Sequence, residues 1–358
     1  MRELFYSIII PFSYLRATLK YIAATSFLVF AILGMFSTGC DVFTTQENSL
    51  STDTTLSLEA REWSKKIEQY PENVPYYLQR AEVLVKDKRL DLAQADYEKA
   101  ISLDSDDPSI YYKLGDVLFA ANKTSDALEQ YKKAEEIGPN DEEAVFKLAQ
   151  FLYFVRQFKK SENKFGKLLI LNPQHAMGNF FSGMVSKESG DTAKALYFFE
   201  NTVKLLGADY NSSMQMGLIN EAQGNTKKAL QQYTKAINTD PTIDEAYYAR
   251  GLLYQTMGQD EPAMKDYQKT IDINAQHFYA YYNAGNILAK DGNYTAAIDH
   301  FEICIRLKED YAKAYNRIGQ CFQLLDKKEL AIENYQKCLQ IDPNFADAKA
   351  GLVSLGIM

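Results

Sequence analysis

The sequence contains little of the chemistry that enzymes and metal sites depend on. Of its 358 residues, three are His, four are Cys and one is Trp. The four Cys form no C-x-x-C pair and show no spacing typical of zinc ligands. No Walker loop, G-x-S-x-G, H-E-x-x-H or G-x-G-x-x-G motif occurs either. We therefore expect no catalytic site, no cofactor and no metal.

The sequence also lacks an excess of positive charge. Lys and Arg number 39 against 47 Asp and Glu, which gives a formal net charge of −8. A nucleic-acid-binding protein usually carries a basic face, so this class is not expected. An acidic body is repelled by anionic lipid, so any attachment to a membrane must be hydrophobic. Hydrophobic residues make up 46% of the chain and charged residues 24%, which is typical of a globular protein.

The first forty residues have the organisation of a secretory signal. Residues 1–20 contain three basic residues, Arg2, Arg16 and Lys20, and one acid, Glu3. An apolar run follows over residues 21–36. Small residues then come directly before Cys40. A positive segment, an apolar segment and small residues before a cleavage point are the three parts of a signal peptide.

The stretch Ser37-Thr38-Gly39-Cys40 resembles the lipobox of bacterial lipoproteins, although that family usually has Leu where Ser37 stands. The resemblance implies that 1–39 is a signal peptide and that Cys40 carries lipid. The body would then lie in the bacterial cell envelope, in the periplasm or at the cell surface. An uncleaved anchor is the alternative, since 21–39 is long enough to span a bilayer. Residues 40–55 would be the lipidated Cys and a flexible tether with a reach of roughly 20 Å.

A period of 34 residues organises most of the remaining chain. Its first ladder is a small residue: Ala81, Gly115, Ala149, Gly183, Gly217, Gly251, Gly285 and Gly319. Its second, twelve residues later, is Ala93, Ala127, Ser161, Ala195, Ala229, Ala263, Ala297 and Ala331. Its third, four residues further, is Tyr97, Tyr131, Phe165, Phe199, Tyr233, Tyr267, Phe301 and Tyr335. Eight repeats without an insertion fill residues 74–345.

This ladder resembles the tetratricopeptide repeat (TPR), whose pattern is W-x₂-L-G-x₂-Y followed by A-x₃-F, Ala and Pro. The second repeat shows it as Tyr111, Leu114-Gly115, Leu118, Ala127, Tyr131, Ala134 and Pro139. The resemblance implies an all-α fold, a right-handed superhelical solenoid in which each repeat is an antiparallel pair of helices, A and B.

Both ends of the array are predicted to be capped. Residues 56–73 read as an N-terminal capping helix, with Trp63 at the aromatic position of helix B, and 346–358 read as a C-terminal capping helix. Inside the array, Asn179 and Ser213 replace the first aromatic residue of helix A in repeats four and five. Because solenoid stability is roughly a sum over neighbouring repeats, we expect these two repeats to form the softest joint.

The resemblance also implies a binding groove, lined by positions 2, 5, 9, 12 and 13 of each helix A. Positions are counted from the first residue of each 34-residue repeat, which is Val74 in the first repeat. In repeats two to five these positions give Tyr112, Phe119, Phe146, Tyr153, Phe154, Met177, Phe180, Met184, Met214 and Leu218. In repeats six to eight they give Tyr248, Tyr279, Tyr282, Asn286, Asn316, Gln320 and Gln323. Aromatic and Met side chains favour an apolar peptide or helix as the ligand.

Three Cys lie inside the array. Cys304 and Cys338 occupy a small position of helix B that is Ala in other repeats, so buried small side chains are the main interpretation. A Cys304–Cys321 disulfide in an oxidising compartment and metal binding are the alternatives.

Together these patterns predict a membrane-tethered scaffold, not an enzyme. It would bind protein partners or peptides while envelope complexes assemble. The alternative is an accessory subunit of an envelope enzyme, in a peptidoglycan hydrolase or glycosyltransferase complex, and a purely structural spacer is a third hypothesis.

Overall fold

The structure is a computed structural model that describes residues 50–357. The predicted signal peptide and the lipid attachment at Cys40 lie outside the described residues. Within 50–357 the regular structure is entirely α-helical, so the predicted all-α fold is confirmed.

Eighteen helices lie between residues 50 and 357. They are α1 (Leu58–Gln69), α2 (Val74–Lys86), α3 (Leu90–Leu103), α4 (Pro108–Ala120), α5 (Thr124–Ile137), α6 (Glu142–Phe154), α7 (Phe158–Leu171), α8 (Ala176–Glu188), α9 (Thr192–Leu206), α10 (Tyr210–Ala222), α11 (Thr226–Thr239), α12 (Asp244–Thr256), α13 (Asp260–Ile273), α14 (Phe278–Lys290), α15 (Tyr294–Leu307), α16 (Ala312–Leu324), α17 (Lys328–Ile341) and α18 (Ala346–Ser354). From α2 to α17 they form eight pairs, each with an even-numbered helix A and an odd-numbered helix B, and α1 and α18 flank the pairs.

The chain divides into two compact units between Phe198 and Phe199. Unit 1 ends at Phe198 and unit 2 begins at Phe199, so the boundary falls inside α9. No helix within residues 50–357 has both the length and the apolar content needed to cross a lipid bilayer.

The glycine ladder exists because the ring of helix B lies against the backbone of helix A. A Cβ added at Gly115 would stand 2.8 Å from Tyr131 Cε1, and one added at Gly217 would stand 2.4 Å from Tyr233 Cε1. Both distances are shorter than carbon atoms tolerate. The rings themselves are buried, with Tyr131 3% exposed and Tyr233 fully covered. The small residue of helix A and the aromatic residue of helix B therefore pack directly against each other inside each repeat.

Every turn from helix A to helix B contains one residue with a left-handed backbone. Four of these residues are glycines, at Gly190, Gly224, Gly258 and Gly292. The other four, at the same position in their own repeats, are Lys88, Asn122, Arg156 and Asp326. The turn geometry is thus the same in all eight repeats, whether or not glycine is present to relieve the strain.

Two repeats carry an ion pair that joins three successive helices, buried in unit 1 and partly buried in unit 2. In unit 1, Arg80 on α2 binds both carboxylate oxygens of Asp96 on α3, at 2.8 and 2.6 Å, and donates to Ser64 on α1 at 2.9 Å. In unit 2, Arg250 on α12 makes the same contacts with Asp266 and Thr234. Because each guanidinium is bound on two sides, its charge is compensated inside the core.

The stretch before α1 is also packed. Leu50 contacts the apolar core of unit 1, while Ser51 and Leu56 are buried. Arg89, in the first A-to-B turn, donates to the Thr55 hydroxyl at 3.4 Å. Residues 50–56 therefore behave as part of the folded body, although the sequence assigned residues up to 55 to a flexible tether.

Candidate protein-binding surfaces

The ends of α4 and α6 and the middle of α8 in unit 1 bring a group of rings together. Phe119 stacks with Phe154 at 6.2 Å between ring centroids and meets Phe151 edge-on at 5.2 Å. Tyr153 lies 5.7 Å from Phe154 and 5.6 Å from Phe181. We call these five residues the aromatic wall.

The aromatic wall has a buried layer and an accessible one. Phe151 and Phe181 are 2% and 5% exposed, whereas Phe154 keeps 44% of its surface open. Phe119 and Tyr153 are half-buried. The buried rings hold the outer rings in place, so the apolar surface is offered by side chains whose positions are already fixed.

Two cations on the helices that carry this wall are neutralised within unit 1. Lys113 on α4 pairs with Glu82 on α2 at 2.7 Å, and Lys147 on α6 pairs with Asp116 on α4 at 2.7 Å. In both cases a Lys at position 6 of helix A meets an acid at position 9 of the previous helix A. The wall therefore attracts a ligand through apolar contact more than through charge.

The structure divides the seventeen predicted groove residues by accessibility. Phe154 is exposed, and eleven are half-buried: Tyr112, Phe119, Tyr153, Met177, Leu218, Tyr248, Tyr279, Tyr282, Asn286, Gln320 and Gln323. Five are buried: Phe146, Phe180, Met184, Met214 and Asn316. Phe146, for example, packs between repeats three and four, with its ring 5.1 Å from His175 and 5.9 Å from Phe181. These five side chains fill the core and present almost no surface to a partner.

Unit 2 holds a different surface, built from polar side chains. Tyr282 meets Tyr311 edge-on at 5.2 Å, and Asn283 donates to the Tyr248 hydroxyl at 3.3 Å. Burial raises the pKa of Tyr248 and of Tyr282, so both phenols stay protonated at neutral pH. Asn286 and Gln320 lie near this pair, on α14 and α16.

Arg317 joins those two amides and was missed at the level of sequence. Its Nε donates to Asn286 Oδ1 at 2.6 Å, and its Nη1 donates to Gln320 Oε1 at 2.9 Å. Position 6 of helix A is not among the groove positions that the TPR resemblance supplies. Comparing position 6 across the repeats of this chain would have revealed it. We call Tyr282, Asn286, Arg317 and Gln320 the polar wall.

The His and Cys side chains have structural roles in the described part of the chain. His175 and His277 cap α8 and α14 by accepting from the amides of Gly178 and Ala280 at 2.9 and 3.2 Å. His300 stands four residues before Cys304, yet no group of three metal-ligating side chains occurs within residues 50–357.

The three described thiols are free and buried, which favours the interpretation of Cys304 and Cys338 as small core residues. Burial raises the pKa of Cys304 to about 12, and it raises those of Cys321 and Cys338 to about 11. They are therefore protonated at neutral pH and poor nucleophiles.

Family models place the chain without ambiguity. The model described as "Tetratricopeptide repeat" matches residues 312–345, and a second of that description matches 244–277 and 278–311. The model described as "TPR repeat" matches 81–121, 115–153 and 217–258. Together these matches cover more than half of the sequence.

The chain belongs to the tetratricopeptide repeat family.

Solved TPR structures share its fold. The C-terminal part of a TPR repeat-containing protein from Cytophaga hutchinsonii aligns with a TM-score of 0.59 at 18% identity, over 67% of this chain and 99% of that one. A tetratricopeptide repeat protein from Parabacteroides merdae aligns with a TM-score of 0.50 at 17% identity, over 70% of this chain and 98% of that one. PilF of Pseudomonas aeruginosa aligns with a TM-score of 0.50 at 12% identity, over 60% of this chain and 97% of that one. No curated protein sequence matches this chain.

TPR arrays are scaffolds for protein–protein interaction, and this TPR chain is a scaffold of that kind. Its two units offer chemically distinct A-helix surfaces, one aromatic and one polar.

Proposed function

We propose that this TPR protein holds a segment of a partner protein on the aromatic wall of unit 1, while its N-terminus anchors it to a membrane of the bacterial cell envelope. The observation that carries the proposal is Phe154, an aromatic side chain with 44% of its surface open and with Phe119, Tyr153 and Phe181 fixed around it. An accessible ring supported by buried rings is typical of the anchor points of protein interfaces.

The chemistry of the wall specifies an apolar segment. Its accessible side chains are aromatic, and Lys113 and Lys147 on the same two helices, α4 and α6, are each bound to an acid. Apolar side chains presented on a helix or an extended strand would gain most from such a surface. The partner would be a component of an envelope complex whose assembly this protein assists.

A binding assay with matched variants tests the partner proposal. The full chain, purified in detergent, would be incubated with solubilised membranes of the native cell, and bound proteins would be quantified by mass spectrometry. Phe154→Ala combined with Tyr153→Ala is expected to lose a specific partner that the wild type retains. Ile170→Ala on α7 removes a more exposed apolar side chain, 83% open, from a B helix, and it should retain the partner.

The same assay bears on the alternatives. Enzymatic activity in the recovered partner would favour an accessory subunit of an envelope enzyme. Equal recovery by the wild type and the double variant would contradict a role for the aromatic wall.

The anchor requires its own experiment. With Cys40 lipidated, metabolic labelling with a fatty acid should label the wild type and not Cys40→Ser. Two or more acyl chains hold a protein stably, so the labelled wild type should remain in the membrane fraction through a salt wash. A wild type that takes up no label and still remains in the membrane fraction would indicate the uncleaved anchor instead.

A further inference from the structure

The first helix of the described chain buries a different side from the other B helices. In those helices the ring of the aromatic ladder is at most 3% exposed. In α1 the buried side chains are Ala60, Ser64 and Ile67, each one residue after a position that is buried in every other B helix. Trp63, at the ladder position itself, is therefore turned outward and only half-buried, and Lys66 is exposed for the same reason.

Trp63 belongs to a cluster of three rings and one cation at this end of unit 1. Its ring lies 5.7 Å from that of Tyr76 on α2, and Tyr76 lies 6.2 Å from Tyr70, which follows α1. Tyr70 is 58% exposed, and the other two rings are half-buried. The Lys66 ammonium stands 3.8 Å from the centre of the Trp63 ring and has no ion-pair partner among residues 50–357. We call these four residues the N-terminal patch.

The packing of the repeats does not account for rings at these positions. At the position of Tyr76, the helices A of repeats two to eight have Ile, Ala, Gly or Ser, and each of these is buried. At the position of Tyr70, three later B helices end in Asp, at Asp104, Asp240 and Asp342. The first repeat thus carries additional aromatic surface at its outer end.

The proposed anchor keeps this end close to a membrane. Cys40 stands ten residues before Leu50, which already packs on the apolar core of unit 1 together with Trp63 and Tyr76. Ten residues span at most about 35 Å. Since α1 is only about 18 Å long, all of it lies within reach of the membrane surface. An uncleaved anchor over 21–39 sets almost the same limit, and at such short range even a weak contact is populated.

This end of the protein is also the part that lipid repels least. Residues 50–90 contain seven acids and seven bases, and residues 1–49 contain three of each, so the net charge of −8 arises in residues 91–358. Anionic lipid therefore repels the body mainly elsewhere. Trp and Tyr favour the boundary between lipid and water, because each has an apolar ring and one polar hydrogen-bonding group.

From the composition of the N-terminal patch and the short connection to Cys40, we infer that this patch rests on the lipid headgroups of the membrane that anchors the chain. The rings of Trp63, Tyr70 and Tyr76 lie in the interfacial layer, and Lys66 binds a headgroup phosphate. The contact holds unit 1, and with it the aromatic wall, in one orientation to the membrane. The inference rests on the proposed function, because the anchor brings the patch to lipid.

Trp63 is the only Trp in the chain, so its fluorescence reports on the patch alone. The full chain, purified with its native anchor, would be reconstituted into vesicles of phosphatidylethanolamine and phosphatidylglycerol, with or without bromine on the acyl chains near the headgroups. Bromine quenches a Trp ring only at short range. The emission of Trp63 should fall by about a third or more in brominated vesicles, because a ring at the interface lies next to the bromine.

Three variants provide the comparison. Trp63→Phe combined with Ile170→Trp moves the single Trp to an exposed site on α7, and its emission should fall by less than about a tenth. Tyr70→Asp introduces the residue that three later B helices have at this position, so it should fold. Its charge should reduce the quenching of Trp63 by about half or more. Tyr197→Asp, on α9, replaces a Tyr that is 59% exposed and should leave the quenching unchanged.

Flotation of the vesicles separates failure of the inference from failure of the anchor. A chain that floats while Trp63 is quenched no more than the Ile170→Trp control would overturn the inference and leave the anchor intact. Equal effects of Tyr70→Asp and Tyr197→Asp would overturn it as well. If bromine does not quench Trp63, but added envelope proteins shield it from acrylamide, a protein covers the patch and the lipid assignment is overturned. A chain that does not float would overturn the proposed anchor and this inference with it.

Discussion

Single residues carry strain that the fold imposes through its repeated turn. Arg156 occupies the left-handed position that is glycine in four other repeats, with φ at 60°. A side chain there costs about 1–2 kcal/mol of backbone energy relative to the right-handed region. The uniform turn is thus maintained by the packing of helices A and B around it, and not by local preference alone.

Replacing Arg156 with glycine should relieve that strain. Because both substitutions remove the same side chain, Arg156→Gly should be more stable than Arg156→Ala by about 1 kcal/mol. At Lys160, inside α7, the order should reverse, with the Ala variant more stable by about 1 kcal/mol. Urea unfolding of the four variants measures both differences, and the same order at both sites would contradict the account.

A second prediction at this scale concerns His277 and pH. Burial lowers the pKa of His277, although Asp244 opposes the shift, and its Nδ1 must be unprotonated to accept from the Ala280 amide. The folded pKa lies below the unfolded value of about 6.5, so the unfolded chain binds more protons. Its stabilising contribution is therefore complete above pH 6.5 and is lost as the pH falls towards the folded pKa.

His277→Asn supplies a capping acceptor that does not titrate. Between pH 7 and pH 5 the wild type should lose more unfolding free energy than this variant. Identical slopes in urea titrations of the two proteins would show that His277 is not responsible for acid sensitivity.

At the scale of helices, the decisive contact is between the small residue of helix A and the ring of helix B. Gly115→Ala places a methyl 2.8 Å from Tyr131, so the ring must move and the protein should lose about 1–3 kcal/mol. Gly166, on the exposed side of α7, has no atom within 4 Å of an added Cβ. Gly166→Ala should therefore stabilise the helix by about 0.5–1 kcal/mol. Thermal unfolding of the two variants should shift in opposite directions, and equal shifts would mean that the ring contact is not what requires glycine.

The fold was predictable from sequence because this contact recurs every 34 residues. Period alone could not separate core from surface on helix A, however. Phe146 occupies position 5, as the half-buried Tyr112 and Tyr248 do in their own repeats. Its ring is nevertheless enclosed by Phe165, His175 and Phe181. That burial depends on which residues the neighbouring repeat contributes.

Two further features were not predicted from the sequence. The capping by His175 and His277 was missed because His is an uncommon cap. The contacts of Arg317 were not predicted because they depend on Asn286, which stands 31 residues earlier.

At the scale of the molecule, repeats four and five have polar side chains at A-helix positions where the other repeats have apolar or aromatic ones. In α8, Asn179 donates to the carbonyls of Pro173 and His175, and in α10, Asn220 donates to Met216. These amides donate to backbone carbonyls at positions where other repeats place apolar or aromatic side chains. Such bonds satisfy the polar atoms but add little cohesion between helices.

Hydrogen exchange should therefore be faster in α8 and α10 than in the other A helices, apart from the ends of the array. Mass spectrometry of peptides from α4 and α14, where position 4 is Tyr111 and Tyr281, provides the internal comparison. Slower exchange in α8 and α10 than in these two helices would contradict the expectation of a soft joint at repeats four and five.

The central claim is that the aromatic wall is where this TPR scaffold meets its partner, and site-specific photocrosslinking in native cells tests it most directly. A photoreactive residue at Phe154 or Tyr153 should capture one discrete protein, and the same residue at Ile170, which is exposed on helix α7, should not. Capture at Ile170 alone, or no capture at either wall position, would contradict the claim.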